Sequence, residues 1–536
     1  MFGNYPVNDD WVFLWQVKAF ASGIFKINTE LDPSFVAQGF LGLLWSKIFG
    51  LDYINLQILT FLISIGTAFV VYKTLLLLGS RKTYAAAGAL TLLFNPIFFA
   101  SSFTFMTDNY LLFFLSVATY FFVRYFSSKT HKDLILGSFF GMLAAATRQN
   151  GILIFLPFLI LSIVSFRKEK WATQAMRLLI PALFIILSIA VAFLWPRFGT
   201  NKRFLEPENL AGRLQILLYA PQYFLIFLSP VFIGIKGQLK GIWRKSLAVI
   251  ITASAALYLF RTDLFPMGNM LYIEELYAKS DFRSNFSLFD NIFAKLFFAI
   301  IWGLGFTKVL FYIIIKFKNR LQLNSLRRQE LFLLISFALN LIILSVSSDM
   351  YDRYLMPSFL FLLLFAFGRL GAGYSINKIC VYLAITLLAV ISIVLQWDFS
   401  ARNTLMWKQL EELRQKTGMS TQIDFNDTYI NHIAVRESGD FTGLESRRGS
   451  FDPLCFIQDY TLDSSSEFSK KVESLGRVIS SKTLENPKPI GVRKKTLPRI
   501  KNNLDNLLFN EEYSTLLYGL VGKKTYVGSF CVNDSD

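Results

Sequence analysis

The sequence predicts an all-α protein that crosses a membrane many times, a polytopic membrane protein, and two observations carry this prediction. Of the 536 residues, 54% are hydrophobic and only 17% are charged, whereas soluble globular proteins carry about 25% charged residues. The apolar residues form long runs such as 56–79 and 378–397, and a helix needs about 20 consecutive apolar residues to cross a bilayer. The composition excludes a disordered or nucleic-acid-binding protein, because so much apolar surface would not stay in water.

Twelve apolar spans are predicted to form a helical bundle over residues 54–397. The short pair 134–147 and 151–166 is also compatible with a hairpin of tilted or interrupted helices. The spans are 54–78, 84–103, 109–126, 134–147, 151–166, 178–195, 214–235, 246–260, 291–315, 331–347, 354–368 and 379–397.

The loops between these spans alternate in charge, and this alternation predicts the orientation of the chain. One set of loops holds 19 basic and three acidic residues, and the other set holds nine basic and ten acidic residues. Loops rich in lysine and arginine stay in the cytoplasm, so the net charge of +17 orients the chain and both termini are predicted to lie outside. Because an N-terminus outside the membrane needs a preceding span, one N-terminal helix is expected to be missing from the sequence.

Two short apolar stretches precede the first span, in the predicted outer region 1–53. Residues 10–23 and 34–50 mix aromatic residues with Gln, Lys and Ser and are too short to span a bilayer. They are predicted to be helices in the outer-face membrane interface, with a reentrant hairpin as the alternative. Residues 398–536 are predicted to form a polar extracytoplasmic C-terminal tail domain of unknown fold, in which Cys455 and Cys531 either form a disulfide or stay free.

The inventory of reactive side chains leaves carboxylates and arginines as the candidates for chemistry. The chain has only two histidines and three cysteines, too few for a His-rich or Cys-rich metal site. No cofactor or metal site is predicted, although the adjacent carboxylates of Asp9 and Asp10 are compatible with a divalent ion. No Asp or Glu falls within a predicted span, whereas ion-coupled transporters usually keep ionisable residues near the middle of the membrane.

Charged residues collect instead at the predicted outer boundary of the membrane. Asp9 and Asp10 precede the first interfacial helix, Asp108 lies at the outer end of the third span, and Arg148 and Arg353 lie in short outer loops. A carboxylate can take a proton from an attacking nucleophile as a general base, and the planar fork of arginine suits a phosphate group. The combination predicts group transfer from a lipid phosphate.

These residues fall in four motifs that resemble the GT-C superfamily of membrane glycosyltransferases, in particular the branch that contains protein O-mannosyltransferases and the lipid A aminoarabinose transferase. The resemblance covers roughly residues 5–397, and the superfamily has thirteen-span forms that match the count once the expected N-terminal helix is added. In chain order the motifs are Asp9-Asp10 with the interfacial helices, Thr107-Asp108-Asn109, Thr147-Arg148-Gln149-Asn150-Gly151 with Pro157, and Arg353-Tyr354-Leu355-Met356-Pro357.

The resemblance implies an inverting glycosyltransferase in the plasma (inner) membrane. It would take a sugar from a polyprenyl-phosphate donor and pass it to a glycan, lipid or protein acceptor on the extracytoplasmic face. Asp9 would be the general base, with Asp10 as its alternative or its electrostatic partner. The other motif residues would bind substrate, with the arginines at the donor phosphate and the aspartate at acceptor or sugar hydroxyls: Asp108, Arg148, Arg353 and Tyr354.

Each of these assignments has an alternative. The aspartates are also suited to helix caps, the arginines to anchors in lipid headgroups, and Tyr354 to the aromatic belt of the membrane interface. Two other functions use a similar basic and aromatic outer cavity or the same fold: a flippase or transporter of a lipid-linked sugar, and a non-catalytic membrane scaffold.

Overall fold

A computed structural model of the chain provides the fold, and its described residues are mostly helical and share one hydrophobic core, as the predicted helical membrane fold requires. The residues that the structure describes are 2–7, 10–28, 34–164, 171–198, 219–228, 248–249, 251–254, 296, 299–301, 303–307, 327–346, 351–370, 377–417, 423–424, 455–462, 508–513 and 524–531.

Two helices form where the interfacial helices are predicted, and they pack through the stacked rings of Phe13 and Phe35, whose centroids lie 5.0 Å apart. A short parallel strand pair then joins the segment after the first helix to the segment after α9. These elements are α1 (Asp10–Ala21), β1 (Ile27–Asn28), α2 (Val36–Phe49) and β2 (Arg197–Phe198).

The first long helix, α3 (Tyr53–Leu77), begins where the side chain of Asp52 accepts a hydrogen bond from the amide of Asn55 at 2.7 Å. The predicted span 84–103 is not one helix but two, α4 (Lys82–Leu93) and α5 (Pro96–Ser101). The break lies at Asn95-Pro96, because the residue before a proline disfavours helical dihedrals. The Asn95 side chain instead accepts hydrogen bonds from the first amides of α5.

The middle of the bundle is a helical hairpin followed by an interrupted helix. The hairpin turns at Lys129, which adopts a left-handed conformation with φ of 57°. The elements are α6 (Thr107–Ser128), α7 (His131–Ala145), a 3-10 helix (Gln149–Ile154), α8 (Phe155–Val164) and α9 (Trp171–Leu194).

Three later helices follow in the described part of the chain after residue 327. The last of them is 40 residues long and continues beyond residue 397, where the bundle is predicted to end. Its extension therefore reaches into the predicted tail region. The elements are α10 (Arg328–Val346), a 3-10 helix (Asp352–Leu355), α11 (Met356–Leu370) and α12 (Lys378–Thr417).

Five of the described helices are long and apolar enough to cross a membrane, and they coincide with predicted spans. They indicate a multi-pass membrane protein. The spans predicted at 134–147, 151–166 and 354–368 form shorter or interrupted helices, and those at 214–235, 246–260 and 291–315 lie largely outside the described residues. The five helices are α3, α6, Gln174–Leu194 of α9, Arg328–Ser345 of α10 and Lys378–Ala401 of α12.

The tail contains a small sheet, which composition alone did not predict. Its strand order is β3-β4-β6-β5, and β4 and β6 are antiparallel with Cys455 opposite Cys531. Directly opposed residues in such a pair have Cα atoms about 4.5–5.5 Å apart, within the range that a disulfide needs. A disulfide and two free thiols both stay open for these cysteines. The strands are β3 (Ile423–Asp424), β4 (Cys455–Leu462), β5 (Leu508–Tyr513) and β6 (Lys524–Cys531).

Candidate active site

Three of the predicted substrate-binding residues meet in one ion-paired cluster. Arg148 donates a hydrogen bond from Nη1 to Oδ1 of Asp108 at 2.5 Å, and Arg353 Nε lies 3.9 Å from Oδ2 of the same carboxylate. The side chains of Asp108 and Arg353 are each 6% exposed, and that of Arg148 is 17% exposed. Residues that are 40 and 245 positions apart from Asp108 thus share one buried carboxylate, which no single motif reveals.

Aromatic rings complete this Asp108–Arg148–Arg353 cluster. The guanidinium of Arg148 lies 4.4 Å from the ring centroid of Tyr354, and that of Arg353 lies 5.4 Å from the rings of both Tyr351 and Tyr354. The negative face of an aromatic ring attracts a cation within about 6 Å. Tyr354, the fourth predicted binding residue, is therefore part of the cluster, and Tyr351, which lies outside the four motifs, joins it.

The first turn of α6 holds Asp108 in position through its neighbours. Asn109 donates hydrogen bonds to Ser64 of α3 at 2.6 Å and to Ser102 at 3.1 Å, and it is buried. Tyr110 shares a hydrogen bond of 3.1 Å with Thr60 of α3. Leaving a buried polar group without a hydrogen bond destabilises the fold. These contacts therefore fix the rotation of α6 and direct Asp108 to the arginines.

Arg148 is held by the turn that ends α7. The backbone carbonyl of Ala146 accepts hydrogen bonds from the amides of Val36 and Ala37, at 2.9 and 3.0 Å, so the start of α2 fastens this turn. The amide of Gly151 then donates to the carbonyl of Arg148 at 2.9 Å. The order Thr-Arg-x-x-Gly of the predicted motif therefore has a geometric meaning: the glycine closes the turn that carries the arginine.

Replacing Gly151 with alanine is expected to disrupt this turn. A Cβ atom at residue 151 would lie 2.3 Å from the carbonyl carbon of Ala144 and 2.5 Å from its oxygen, and backbone atoms do not move aside as a side chain does. Overpacking of this kind costs about 1–3 kcal/mol. We expect the Gly151→Ala variant to unfold at a lower temperature in detergent than the wild type. The control is Gly79→Ala, because the new Cβ has no atom within 4 Å while the φ of Gly79 is +92°. This control measures the cost of backbone strain alone. Equal Tm values for the Gly151 variant and the wild type would contradict the close approach.

The side chain of Asp10 is buried, and its two carboxylate oxygens accept hydrogen bonds from two backbone amides. Its Oδ1 accepts from the amide of Phe105 at 2.9 Å, and its Oδ2 accepts from the amide of Val7 at 3.4 Å. Asp10 is also the first residue of α1. Phe105 lies three residues before Asp108, so Asp10 fastens the acidic segment to the loop that leads into the cluster. Asp9 lies outside the described residues.

Sequence reasoning missed two residues of this region. Gln38 is buried on α2 and donates to the carbonyl of Phe105 at 2.7 Å, which holds the same loop from the other side. Met106 accepts a hydrogen bond on Sδ from Nη1 of Arg353 at 3.0 Å. A glutamine within an apolar helix was the available signal for the first, whereas nothing in the sequence distinguishes this methionine from a core residue.

The arrangement offers both donors and an acceptor for a phosphorylated ligand. Within the described part of the chain, Oδ2 of Asp108 has no hydrogen-bond partner, so it can accept from a hydroxyl group. A thioether such as that of Met106 is a weak acceptor, so a phosphate oxygen would be a better partner for the Arg353 guanidinium. No group of three or more His, Cys, Asp or Glu residues suited to a metal ion occurs among the described residues.

Residues 42–200 match the model of the family described as dolichyl-phosphate-mannose-protein mannosyltransferase. This segment includes Asp108 and Arg148, and the match supports the resemblance to GT-C glycosyltransferases predicted from the motifs. A search of curated protein sequences finds no match.

Solved structures with detectable similarity include two of ArnT from Cupriavidus metallidurans. The structure bound to undecaprenyl phosphate is 12% identical over 87% of this chain and 91% of that chain, with a TM-score of 0.36. The apo structure is 11% identical over 98% of this chain and 94% of that chain, with a TM-score of 0.37. The archaeal oligosaccharyltransferase AglB from Archaeoglobus fulgidus, in complex with an inhibitory peptide and a dolichol-phosphate, is 13% identical over 85% of this chain and 66% of that chain, with a TM-score of 0.41.

Proposed function

We propose that this chain, which resembles GT-C membrane glycosyltransferases, transfers a sugar from a polyprenyl-phosphate donor to an acceptor with inversion at the anomeric carbon. The observation that carries the proposal is the cluster in which Arg148 and Arg353 share the buried carboxylate of Asp108. The family match over residues 42–200 supports the reaction class. The acceptor would be a glycan, lipid or protein.

In the proposed reaction, the two arginines bind the donor phosphate. The bond between the anomeric carbon and the phosphate oxygen breaks, and polyprenyl phosphate leaves with one more negative charge than the phosphodiester had. Arg148 and Arg353 stabilise this added charge, because fixed donors aimed at developing charge lower the barrier. The 17% exposure of Arg148 leaves it accessible to a ligand, and the paired donors of each guanidinium match two phosphate oxygens.

The acceptor oxygen or nitrogen forms the new bond to the anomeric carbon, and its proton passes to a general base. We assign the base to Asp9, with Asp10 as its partner, because both carboxylate oxygens of Asp10 already accept backbone hydrogen bonds. Oδ2 of Asp108, which is ion-paired with Arg353 but has no hydrogen-bond partner among the described residues, accepts a hydroxyl of the sugar or the acceptor. Neither a cofactor nor a metal enters this scheme.

The proposed site lies at the extracytoplasmic face of the plasma (inner) membrane. The support is the excess of lysine and arginine in the opposite set of loops, which positive-inside orientation places in the cytoplasm. Membrane lipids would then surround the polyprenyl chain of the donor while its phosphate reaches the arginines.

A reconstituted assay tests the proposed function. The purified chain in proteoliposomes receives a polyprenyl phosphate that carries a radiolabelled sugar, together with candidate acceptors. We expect labelled acceptor and free polyprenyl phosphate in equal amounts. Movement of the intact lipid-linked sugar across the bilayer without cleavage would favour a flippase, and neither activity would favour a scaffold.

Replacing Arg353 with glutamine is expected to weaken donor binding. A hydrogen bond to a charged group contributes about 1.5–3 kcal/mol, so the KM for the donor should rise by about ten- to a hundred-fold. Arg353→Lys should recover little of this loss, because lysine keeps the charge but not the planar fork. Arg124→Gln is the matched control, since Arg124 pairs with Asp133 some four turns along α6 from Asp108. An unchanged KM in the Arg353 variant would remove this residue from the donor site.

A further inference from the structure

The segment that leads into the acidic pair is fastened to α3 by one buried glutamine. Gln57 Oε1 accepts from the amide of Gly3 at 3.2 Å, and its Nε2 contacts the carbonyl of Tyr5 at 3.5 Å. Gln57 is 1% exposed. Both ends of its amide therefore face the backbone of one short segment, in the way that a neighbouring strand would.

The same segment is fastened to α12, more than 390 residues away in the chain. The hydroxyl of Tyr5 donates to the carbonyl of Ser400 at 3.0 Å. The Tyr5 ring also stacks on Trp407, with centroids 6.1 Å apart and planes at 9°. Ser400 and Trp407 belong to the part of α12 that extends beyond the predicted membrane bundle.

These contacts continue along the described residues to Asp10. After Gly3 and Tyr5, the next fastened backbone group is the amide of Val7, which donates to Asp10. Asp10 in turn accepts from the amide of Phe105, before Asp108. The described segment from Gly3 to Val7 is thus held at alternate residues, and it is linked through the amide of Val7 to the side chain of Asp10.

We propose that Tyr5 and Gln57 are positioning residues that act on the acidic pair through Val7 and Asp10, and that the extension of α12 is part of the frame of the site. The inference rests on the proposed function. It adds that the region after residue 397 influences the chemical step by holding Tyr5, not by contacting substrate.

The contacts of Gln57 and Tyr5 with the segment Gly3–Val7 form a polar clamp. If packing were the only purpose of this clamp, an apolar side chain would fill the space at a lower cost in free energy. A leucine in place of Gln57 would fill a similar volume without burying an amide, and the burial of polar groups is favourable only when their hydrogen bonds are made. What the amide adds is the register of the segment, since its donor and acceptor bind particular backbone groups. A displacement of about 1 Å at a reacting group lowers a rate by about a hundred-fold, so register matters for a base.

Kinetics of Gln57→Leu and Tyr5→Phe variants test the inference, with Tyr382→Phe as the matched control because Tyr382 is exposed on α12. We expect kcat to fall by about ten- to a hundred-fold in the Gln57 variant and by less in the Tyr5 variant. The KM for the donor should stay unchanged, because the arginine cluster is intact. A fall in donor affinity that parallels the loss of kcat would indicate general misfolding and overturn the positioning role.

Thiol labelling provides a readout that does not depend on activity. In a chain whose three native cysteines are replaced by serine, Val7→Cys should react slowly with a water-soluble maleimide, since Val7 is 7% exposed. Adding Gln57→Leu or Tyr5→Phe should increase the labelling rate by about two- to ten-fold, the equivalent of one hydrogen bond.

The two readouts separate the two proposals. Unchanged labelling overturns the clamp whether or not the wild type transfers sugar. Faster labelling with an unchanged kcat overturns the positioning role but leaves the proposed function intact. If the wild type transfers no sugar while labelling responds as expected, the proposed function and the positioning role fail and only the clamp stands.

Discussion

Replacing Asp9 with asparagine is expected to reduce the rate of sugar transfer by about two to four orders of magnitude, the usual contribution of a general base. Asparagine has nearly the same shape but cannot take the proton of the acceptor. The KM for the polyprenyl-phosphate donor should change little, because Arg148 and Arg353 remain in place. Single-turnover transfer of labelled sugar in proteoliposomes measures the effect on the chemical step.

Asp10 provides the matched comparison, because the two substitutions are chemically identical and adjacent in the chain. Asp10→Asn keeps one acceptor oxygen for two backbone amides, those of Phe105 and Val7. Hydrogen bonds to a charged group contribute about 1.5–3 kcal/mol, so we expect this variant to lose stability as well as rate. The Asp9 variant should unfold at the wild-type temperature.

The opposite pattern would exchange the roles of the two carboxylates. If Asp10→Asn abolishes transfer with an unchanged Tm while Asp9→Asn remains active, Asp10 is the base and its backbone contacts are secondary. If both variants transfer sugar at the wild-type rate, neither residue is the base.

Replacing Asp108 with asparagine is expected to destabilise the chain and to abolish most of the transfer activity. The carboxylate lies between two guanidiniums, and its removal leaves two cations close together with little exposure to water. Breaking a buried ion pair by removing one partner costs about 3–5 kcal/mol. Thermal unfolding in detergent and the transfer assay measure the two effects.

A double-mutant cycle identifies the cause of this loss. Arg148→Gln in the Asp108→Asn background removes one of the two uncompensated cations, so it should cost less than the same change in the wild type, with a coupling energy of about 0.5–3 kcal/mol. Asp133→Asn serves as control. Asp133 is a buried carboxylate at the start of α7, and it pairs with Arg124, which lies near the end of α6 that is opposite to Asp108. That variant should lose stability without a specific loss of the chemical step. Additive effects of the Asp108 and Arg148 changes would show that their contact is not energetically coupled.

Much of the fold and part of the site were predictable from local patterns. Apolar runs predicted the helical membrane fold because a bilayer imposes a minimum length on every span, and five of those spans have helices of sufficient length. The Asp108, Arg148 and Arg353 motifs were predictable because each lies at the end of an apolar run. The break at Asn95-Pro96 was missed because the surrounding residues are apolar on both sides of it, and hydropathy does not register a proline.

Contacts between distant residues were not predictable in the same way. Gln38 and Gln57 look alike in the sequence, as single glutamines in apolar helices, yet one holds the loop before Asp108 and the other holds the segment before Asp10. Gly151 resembles any turn glycine until the backbone of Ala144 is placed against it. The tail sheet was also missed, because its central pairing joins β4 to β6, strands that are separated by the whole segment from Leu462 to Lys524.

The sequence by itself determined that this protein is a helical membrane protein and that its notable carboxylates and arginines lie near the ends of apolar runs. Both properties depend on local hydrophobicity and charge, which follow directly from the order of the residues in the chain. Only the tertiary structure decided that Arg148 and Arg353 share one carboxylate, that Asp10 holds two backbone amides, and that Tyr5 meets the extension of α12. Such pairings depend on which helices pack side by side, because hydrogen bonds and ion pairs form only over a few ångströms and therefore follow the packing of the bundle.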